Sequence, residues 1–305
     1  MKANYVLETQ HLKRYFGNVH AVEDISLHVR KGEIFGFLGP NGAGKTTTIS
    51  MILGLTYPTS GQITIFGEPI TPLHTHVLRR VGTMVGSPSA QMTAFSARQN
   101  LTCMAYLRPD LPHKRINETI ARVGLHKDAD RPVSHFSTGM KQRLGLALAL
   151  VNQPELIILD EPTNGLDPAG MHEVRLLLRA LAGEGITILL SSHLLHEMEM
   201  VCDRVAVVRK GKVLAEGVVS ELLKAQEAVR IRATDLERTA AVLNQLQEAH
   251  TIRILADTVE IQGVSSEVAL VYLVQHGIVP KEVYIIHPDL ESFFLELTQQ
   301  NEHQS

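Results

Sequence analysis

The stretch Gly39-Pro40-Asn41-Gly42-Ala43-Gly44-Lys45-Thr46-Thr47 constrains this chain more than any other part of it. It fits G-x-x-x-x-G-K-[ST], a pattern that carries physical meaning only where a strand runs into it and a helix runs out. Both conditions are met: residues 34–38 are an apolar run of strand length, and residues 46–53 have helical spacing. In that setting the glycines let the backbone curl with its N–H groups inward, and the helix N-terminus adds positive potential. Such a loop cradles phosphates, with Lys45 reaching the β and γ groups and the Thr46 hydroxyl placed to ligate Mg²⁺.

Other short apolar runs, 156–159, 186–190 and 205–208, are bounded by Gly, Pro or Asp and alternate with the helically spaced segments 141–151 and 171–181. That alternation predicts an α/β domain whose mostly parallel sheet is covered by helices. Upstream, 6–12 and 25–29 alternate as strands of an antiparallel sheet would, and 58–61 reads as a turn. Around 217–225 the long apolar runs stop, which places a boundary between a main domain, 1–217, and a smaller α+β domain, 218–305. The tail predicts a strand at 228–233, a helix at 235–247, two strands joined near Asp257, a helix at 265–276 stopped by Gly277, and a strand at 282–287. This order resembles a split βαβ, ferredoxin-like unit, and a last helix at 289–300 follows it.

The run 156–159 ends in Asp160-Glu161. Acids at strand ends are often helix caps, but phosphoryl transfer needs both a metal holder and a group that positions water. With the phosphate loop upstream, Asp160 is placed to hold Mg²⁺ through water and Glu161 to orient the attacking water or take its proton. Just ahead, Phe136-Ser137-Thr138-Gly139-Met140-Lys141-Gln142-Arg143 opens another helical run. A Ser hydroxyl, a Gly N–H and a helix dipole make a second anion-binding start, although taken alone it is a Ser-capped helix.

These motifs, in this order, resemble the ATP-binding cassette (ABC) ATPases over about residues 4–217. Residues 136–143 resemble the LSGGQ signature, with Phe136, Thr138 and Met140 as departures and Ser137 and Gly139 kept. Asn164-Gly165-Leu166-Asp167 looks like the family's D-loop, and Ser191-Ser192-His193 like the segment carrying its switch histidine. The resemblance implies a P-loop NTPase core with an antiparallel β subdomain and a helical subdomain near 87–153. It implies ATP and Mg²⁺ as ligands, Glu161 and His193 as catalytic residues, and two copies that sandwich ATP. Lys45, Thr46 and Asp160 of one copy would then hold MgATP while Ser137 and Gly139 of the other close over the γ-phosphate, with Asp167 also in the nucleotide site. Phe16, just before Gly17, stands where the family stacks an aromatic on adenine, with Tyr15 as its rival. The tail 290–297 is similar to that of subunits of drug, bacitracin and lantibiotic exporters, which implies export through a separate membrane-spanning permease. Residues 87–98 would meet that partner.

One departure stands out. The family's Q-loop places Gln, or Glu in peptide-antibiotic exporters, after a strand resembling 81–85, where the side chain helps ligate Mg²⁺ and signals to the membrane partner; here that position is Gly86, and Gln91 a few residues on would substitute if the loop bends. Loss of that side chain leaves open a nucleotide-gated switch that hydrolyses slowly. A soluble ABC ATPase of translation or repair is a third reading, but such proteins usually carry two cassettes or a long coiled-coil insertion, and neither is visible.

Composition narrows the remaining classes. With 29 basic against 32 acidic residues and a net charge of −3, nucleic acid is not an expected partner. Cys103 and Cys202 are too few for a disulfide framework and read as small buried residues. Residues 1–16 show no signal sequence, and no run reaches the roughly 18 to 20 apolar residues needed to cross a bilayer. A cytoplasmic chain held at the inner membrane face by its partner is the expectation.

Overall fold

Apolar runs bounded by turn residues become the buried strands of the computed structural model, which describes residues 5–71, 73–86, 91–107, 112–224, 227–246 and 251–302. The chain divides into two compact units, Met1–Gly217 and Val218–Ser305.

The first unit opens with a long antiparallel pair, β1 (Tyr5–Phe16) and β2 (Val19–Arg30). Next come β3 (Ile34–Leu38), α1 (Lys45–Ile52), β4 (Ser60–Ile65), β5 (Glu68–Pro69) and β6 (Val81–Met84). Three helices follow, α2 (Ala97–Leu107), α3 (His113–Arg122) and α4 (Thr138–Leu150). The unit closes with β7 (Leu156–Asp160), α5 (Pro168–Gly183), β8 (Thr187–Ser192), α6 (Leu195–Val201), β9 (Arg204–Arg209) and β10 (Lys212–Val218). Among the described residues these strands form one sheet in the order β5-β4-β1-β2-β10-β9-β3-β8-β7-β6. From β9 to β6 neighbouring strands run parallel, so all their C-terminal ends, with the loops that follow, lie along one edge. Ligands of open α/β sheets bind at that edge.

Every residue of β3 and β7 is buried, as a parallel sheet covered on both faces requires. In β1 and β2, by contrast, Leu7, Leu12, Ile25 and Leu27 are fully buried while residues between them reach the surface, the alternation of a sheet with one wet face. Burying each such side chain contributes about 1.5–3 kcal/mol.

Three differences from the sequence reading have physical causes. The turn expected at 58–61 is displaced, because β4 already begins at Ser60. Gly61 sits inside that strand at φ 96°, where a Cβ would lie 2.5 Å from the His11 carbonyl oxygen. The glycine is there for close approach at a register shift between β1 and β4, not for a reversal. Strand β10 has no fully buried residue, so no apolar run announces it. Cys202 is buried, and burial pushes its thiol far above the usual value, but Cys103 is only partly buried.

The second unit holds α7 (Val219–Lys224), β11 (Ala228–Arg232), α8 (Leu236–Leu243), β12 (Thr251–Ile254), β13 (Val259–Gln262), α9 (Ser266–Gln275), β14 (Glu282–Ile286) and α10 (Leu290–Glu302). Its four strands pair antiparallel in the order β12-β13-β11-β14. Val229, Ile231, Val259, Ile261, Leu243 and Leu273 form its own core. Asp235 and Ser265 cap α8 and α9 by accepting from Arg238 N and Val268 N, which explains why both helices start where they do.

Candidate functional site

Strand β3 runs into the glycine loop and α1 runs out of it. Gly44 is the residue before the helix, at φ 100°, and a Cβ there would meet the Ala21 carbonyl oxygen at 2.6 Å. Only glycine fits both the left-handed backbone and the contact. No side chain caps α1, so its first amides stand available to an anion. Pro40, Asn41 and Gly42 form the exposed crest, Ala43 is buried, and Thr46 and Thr47 lie at the accessible helix start. The Gly39 amide donates to the Ser192 carbonyl at 3.3 Å, which ties the loop to β8.

Lys45 is almost fully buried, and its ammonium donates to the carbonyls of Gly39 at 2.7 Å and Pro40 at 3.3 Å. The same nitrogen lies 3.4 Å from Glu161 Oε1. Thr46 Oγ1 donates to Asp160 Oδ2 at 2.9 Å, and Ser191 Oγ donates to Asp160 Oδ1 at 2.5 Å. Glu161 takes a left-handed backbone, φ 52°, which costs a non-glycine residue about 1–2 kcal/mol. From there its Oε2 lies 2.9 Å from His193 Nδ1, so the two side chains hydrogen-bond. The parallel pairing of β3, β7 and β8 thus gathers Lys45, Thr46, Asp160, Glu161, Ser191 and His193 into one cluster. Thr46 and Asp160 present only hard oxygen donors, a donor set that suits Mg²⁺.

The signature residues lie elsewhere. Ser137 caps α4, its Oγ accepting from Met140 N at 3.2 Å, and Asp167 caps α5, accepting from Gly170 N at 3.0 Å. Gln142 Nε2 donates to the Asn164 carbonyl at 3.2 Å, which fastens α4 to the loop before α5. Ser137, Gly139, Arg143, Gly165, Asp167 and Glu173 line a groove of about 630 Å³ whose described walls include no residue of the phosphate loop. The start of α4 therefore faces a groove that the described phosphate-loop residues do not line.

Phe16 and its rival separate clearly. Tyr15 stacks on His20, with ring centroids 4.1 Å apart. Phe16 is half exposed, with the Arg14 guanidinium 4.3 Å from its ring centre.

The loop after β6 also resolves in part. Met84, the last residue of β6, pairs with Leu159, and Gly86 follows two residues beyond at φ 81°. Gln91 is buried, and its Nε2 donates to the Lys141 carbonyl in the first turn of α4 at 2.6 Å, while its buried Oε1 has no partner among the described residues. Residues 87–90 of the segment expected to meet a membrane partner lie outside the described residues.

Residues 22–164 match the ABC transporter family model. The chain is 38% identical over 298 residues to the bacitracin transport ATP-binding protein BcrA of Bacillus licheniformis, covering 96% of this chain and 97% of that protein. The chain belongs to the ATP-binding subunits of ABC transporters. The subunit is also 39% identical over 223 residues to the Nod factor export ATP-binding protein I of Burkholderia pseudomallei, across 72% of this chain and 73% of that one. Among solved structures, cbiO1 of Clostridium perfringens, described as part of the ABC transporter complex cbiONQ, superposes with a TM-score of 0.67 at 30% identity, over 80% of this chain and 96% of that one. As an ABC ATPase, the subunit binds and hydrolyses ATP. No helix among the described residues is long and apolar enough to cross a membrane.

Ser191 falls in the segment Ser191-Ser192-His193, read for its histidine, and residue type and spacing give the serine no role of its own; it lies near the end of the buried strand Thr187–Ser192.

Proposed function

We propose that two copies of this chain clamp two ATP molecules and use their hydrolysis to drive export of a drug, a peptide antibiotic or a similar substrate through a separate membrane-spanning permease. The observation that carries this is the separation of the two helix starts: the groove of Ser137, Gly139 and Asp167 holds no phosphate-loop residue of its own chain. A γ-phosphate seated on Lys45 meets Ser137 and Gly139 only if a second copy supplies them.

In this reading Gly39 to Thr47 cradle the phosphates and Phe16 carries the adenine. Thr46 and Asp160 hold Mg²⁺, which neutralises charge on the β and γ phosphates. Glu161, held between Lys45 and His193, accepts a proton from the attacking water. Closing of the pair pulls the permease loops through residues 87–98, and the chain sits on the inner face of the membrane through that contact. The likeness to a bacitracin transport protein and to a Nod factor export protein supports the outward direction. The βαββαβ order and the strand order β12-β13-β11-β14 support a ferredoxin-like reading of the second unit, whose role we take as a cap or dimer brace.

Mixing two inactive variants tests the shared site. Lys45→Ala disables the loop and Ser137→Arg the signature; in a mixed pair, one of the two sites has both halves intact. With half the pairs mixed, phosphate release recovers to about a quarter of the wild-type rate. No recovery on mixing refutes the shared site. A second reading, a slow nucleotide-gated switch, is favoured by Gly86 alone, and phosphate release measured with the co-purified permease separates the two.

A further inference from the structure

Ser191 is completely buried at the end of β8, two residues before His193. Burying a hydroxyl in an apolar strand is unfavourable unless it finds a partner. Its neighbour Ser192 spends its hydroxyl locally, accepting from Leu194 N at 3.0 Å. Ser191 does not. Its Oγ donates to Asp160 Oδ1 at 2.5 Å and accepts from Glu161 N at 3.3 Å, while its carbonyl accepts from the same amide at 3.1 Å.

Two consequences meet at this one side chain. An aspartate carboxylate turns in a broad, roughly two-fold torsional well, so a residue at a strand end does not by itself choose which oxygen faces outward. Here the inner oxygen, Oδ1, is taken by a hydroxyl from the core and the outer one, Oδ2, by Thr46 at the accessible start of α1. The neighbouring acid, Glu161, reaches Lys45 and His193 from a left-handed backbone that its amide bonds to Ser191 help to hold. We infer that Ser191 is a positioning residue of the hydrolytic site, setting the rotation of the Asp160 carboxylate and the backbone of Glu161 together. The inference rests on the roles given above to Asp160 and Glu161.

The test compares full-length wild type with Ser191→Ala and Ser191→Thr. Readouts are kcat and KM for ATP, the Mg²⁺ concentration at half-maximal rate, and binding of a fluorescent ATP analogue with and without Mg²⁺. Loss of a hydrogen bond to a carboxylate lowers kcat about ten- to hundredfold. In Ser191→Ala we expect that loss, a higher Mg²⁺ midpoint and a smaller Mg²⁺-dependent gain in analogue binding, while metal-free binding and melting temperature stay near wild type. Ser191→Thr keeps the hydroxyl and restores the Mg²⁺ midpoint. A merely structural serine would lower melting temperature and metal-free binding together and leave the Mg²⁺ midpoint alone. Wild-type kcat and Mg²⁺ midpoint in Ser191→Ala, or equal impairment in the threonine variant, overturn the assignment. A wild-type protein that binds the analogue without hydrolysing ATP would instead overturn the roles of Asp160 and Glu161.

Discussion

Replacing Glu161 by Gln keeps the size of the side chain and one acceptor oxygen, and removes the negative charge and with it the ability to take a proton. Glutamine is as compatible as glutamate with φ 52°, and the backbone bonds to Ser191 are untouched. The Lys45 ammonium loses a carboxylate 3.4 Å away but keeps the Gly39 and Pro40 carbonyls. It is therefore not left as an uncompensated buried charge, and the stability loss is about 1–2 kcal/mol. Turnover suffers far more: losing a positioned base typically costs a factor of about 10² to 10⁴, or roughly 2.7–5.4 kcal/mol in the barrier. The two effects are read separately, one in the melting transition and one in the rate, which makes the variant a clean probe. Phosphate release at saturating Mg-ATP gives the rate, and size-exclusion chromatography in ATP reports whether the unhydrolysed nucleotide holds two copies together. Turnover within about threefold of wild type would refute the role of Glu161 as the water-activating group.

Three further outcomes follow from single contacts. Phe16→Ala removes the half-exposed ring and weakens ATP binding by about 1 kcal/mol, about fivefold in Kd, whereas Tyr15→Ala, already stacked on His20, leaves Kd unchanged in an equilibrium titration. Gly44→Ala drives a Cβ to 2.6 Å from the Ala21 carbonyl oxygen at φ 100° and lowers stability by about 2–4 kcal/mol, read as a lower urea midpoint. Burial holds the Glu33 carboxyl above its usual 4.5, against the opposing pull of the Arg30 amide and the Arg204 guanidinium. The folded chain then keeps that proton longer than the unfolded one, so this group's contribution is full below about 4.5 and is lost as pH rises through the folded value. Urea unfolding of Glu33→Gln should accordingly show stability rising relative to wild type between pH 4 and 7, and a constant difference would refute it.

What the sequence makes legible is local chemistry in a fixed order. The glycine loop, the acid pair and the Ser137 helix start each occupy a few consecutive residues at a strand end or a helix start, so residue type and spacing carry them without any knowledge of pairing, whereas Asp167 enters through the resemblance of 164–167 to the D-loop. The parallel strands β3, β7, β8 and β9 were equally readable, because burial on both faces writes an uninterrupted apolar run. What escapes is whatever depends on register. Gly61 looks like a turn residue until β4 is laid against the shifted part of β1. Nothing near Gln91 in the sequence shows that its amide nitrogen lies on the Lys141 carbonyl, 50 residues away.

Ser191 shows why the last part of such a site is the hardest to see. Its partners Asp160 and Glu161 lie 31 and 30 residues away, and they meet it only because Asp160 stands opposite Ser191 in the parallel pairing of β7 with β8. A one-residue slip of that register would turn the hydroxyl to the other face of the sheet and leave the carboxylate without its inner donor. The groups that touch phosphate must sit in loops at the strand ends, where motifs form and can be read. The groups that aim them sit one layer below, in strands whose composition is set by burial, and Ser191, between Leu190 and Ser192, has nothing in the sequence to tell it from its neighbour. Function at this edge of the sheet therefore depends on β7 and β8 pairing in one register, and a core substitution that loosens that pairing should lower turnover before it lowers nucleotide binding.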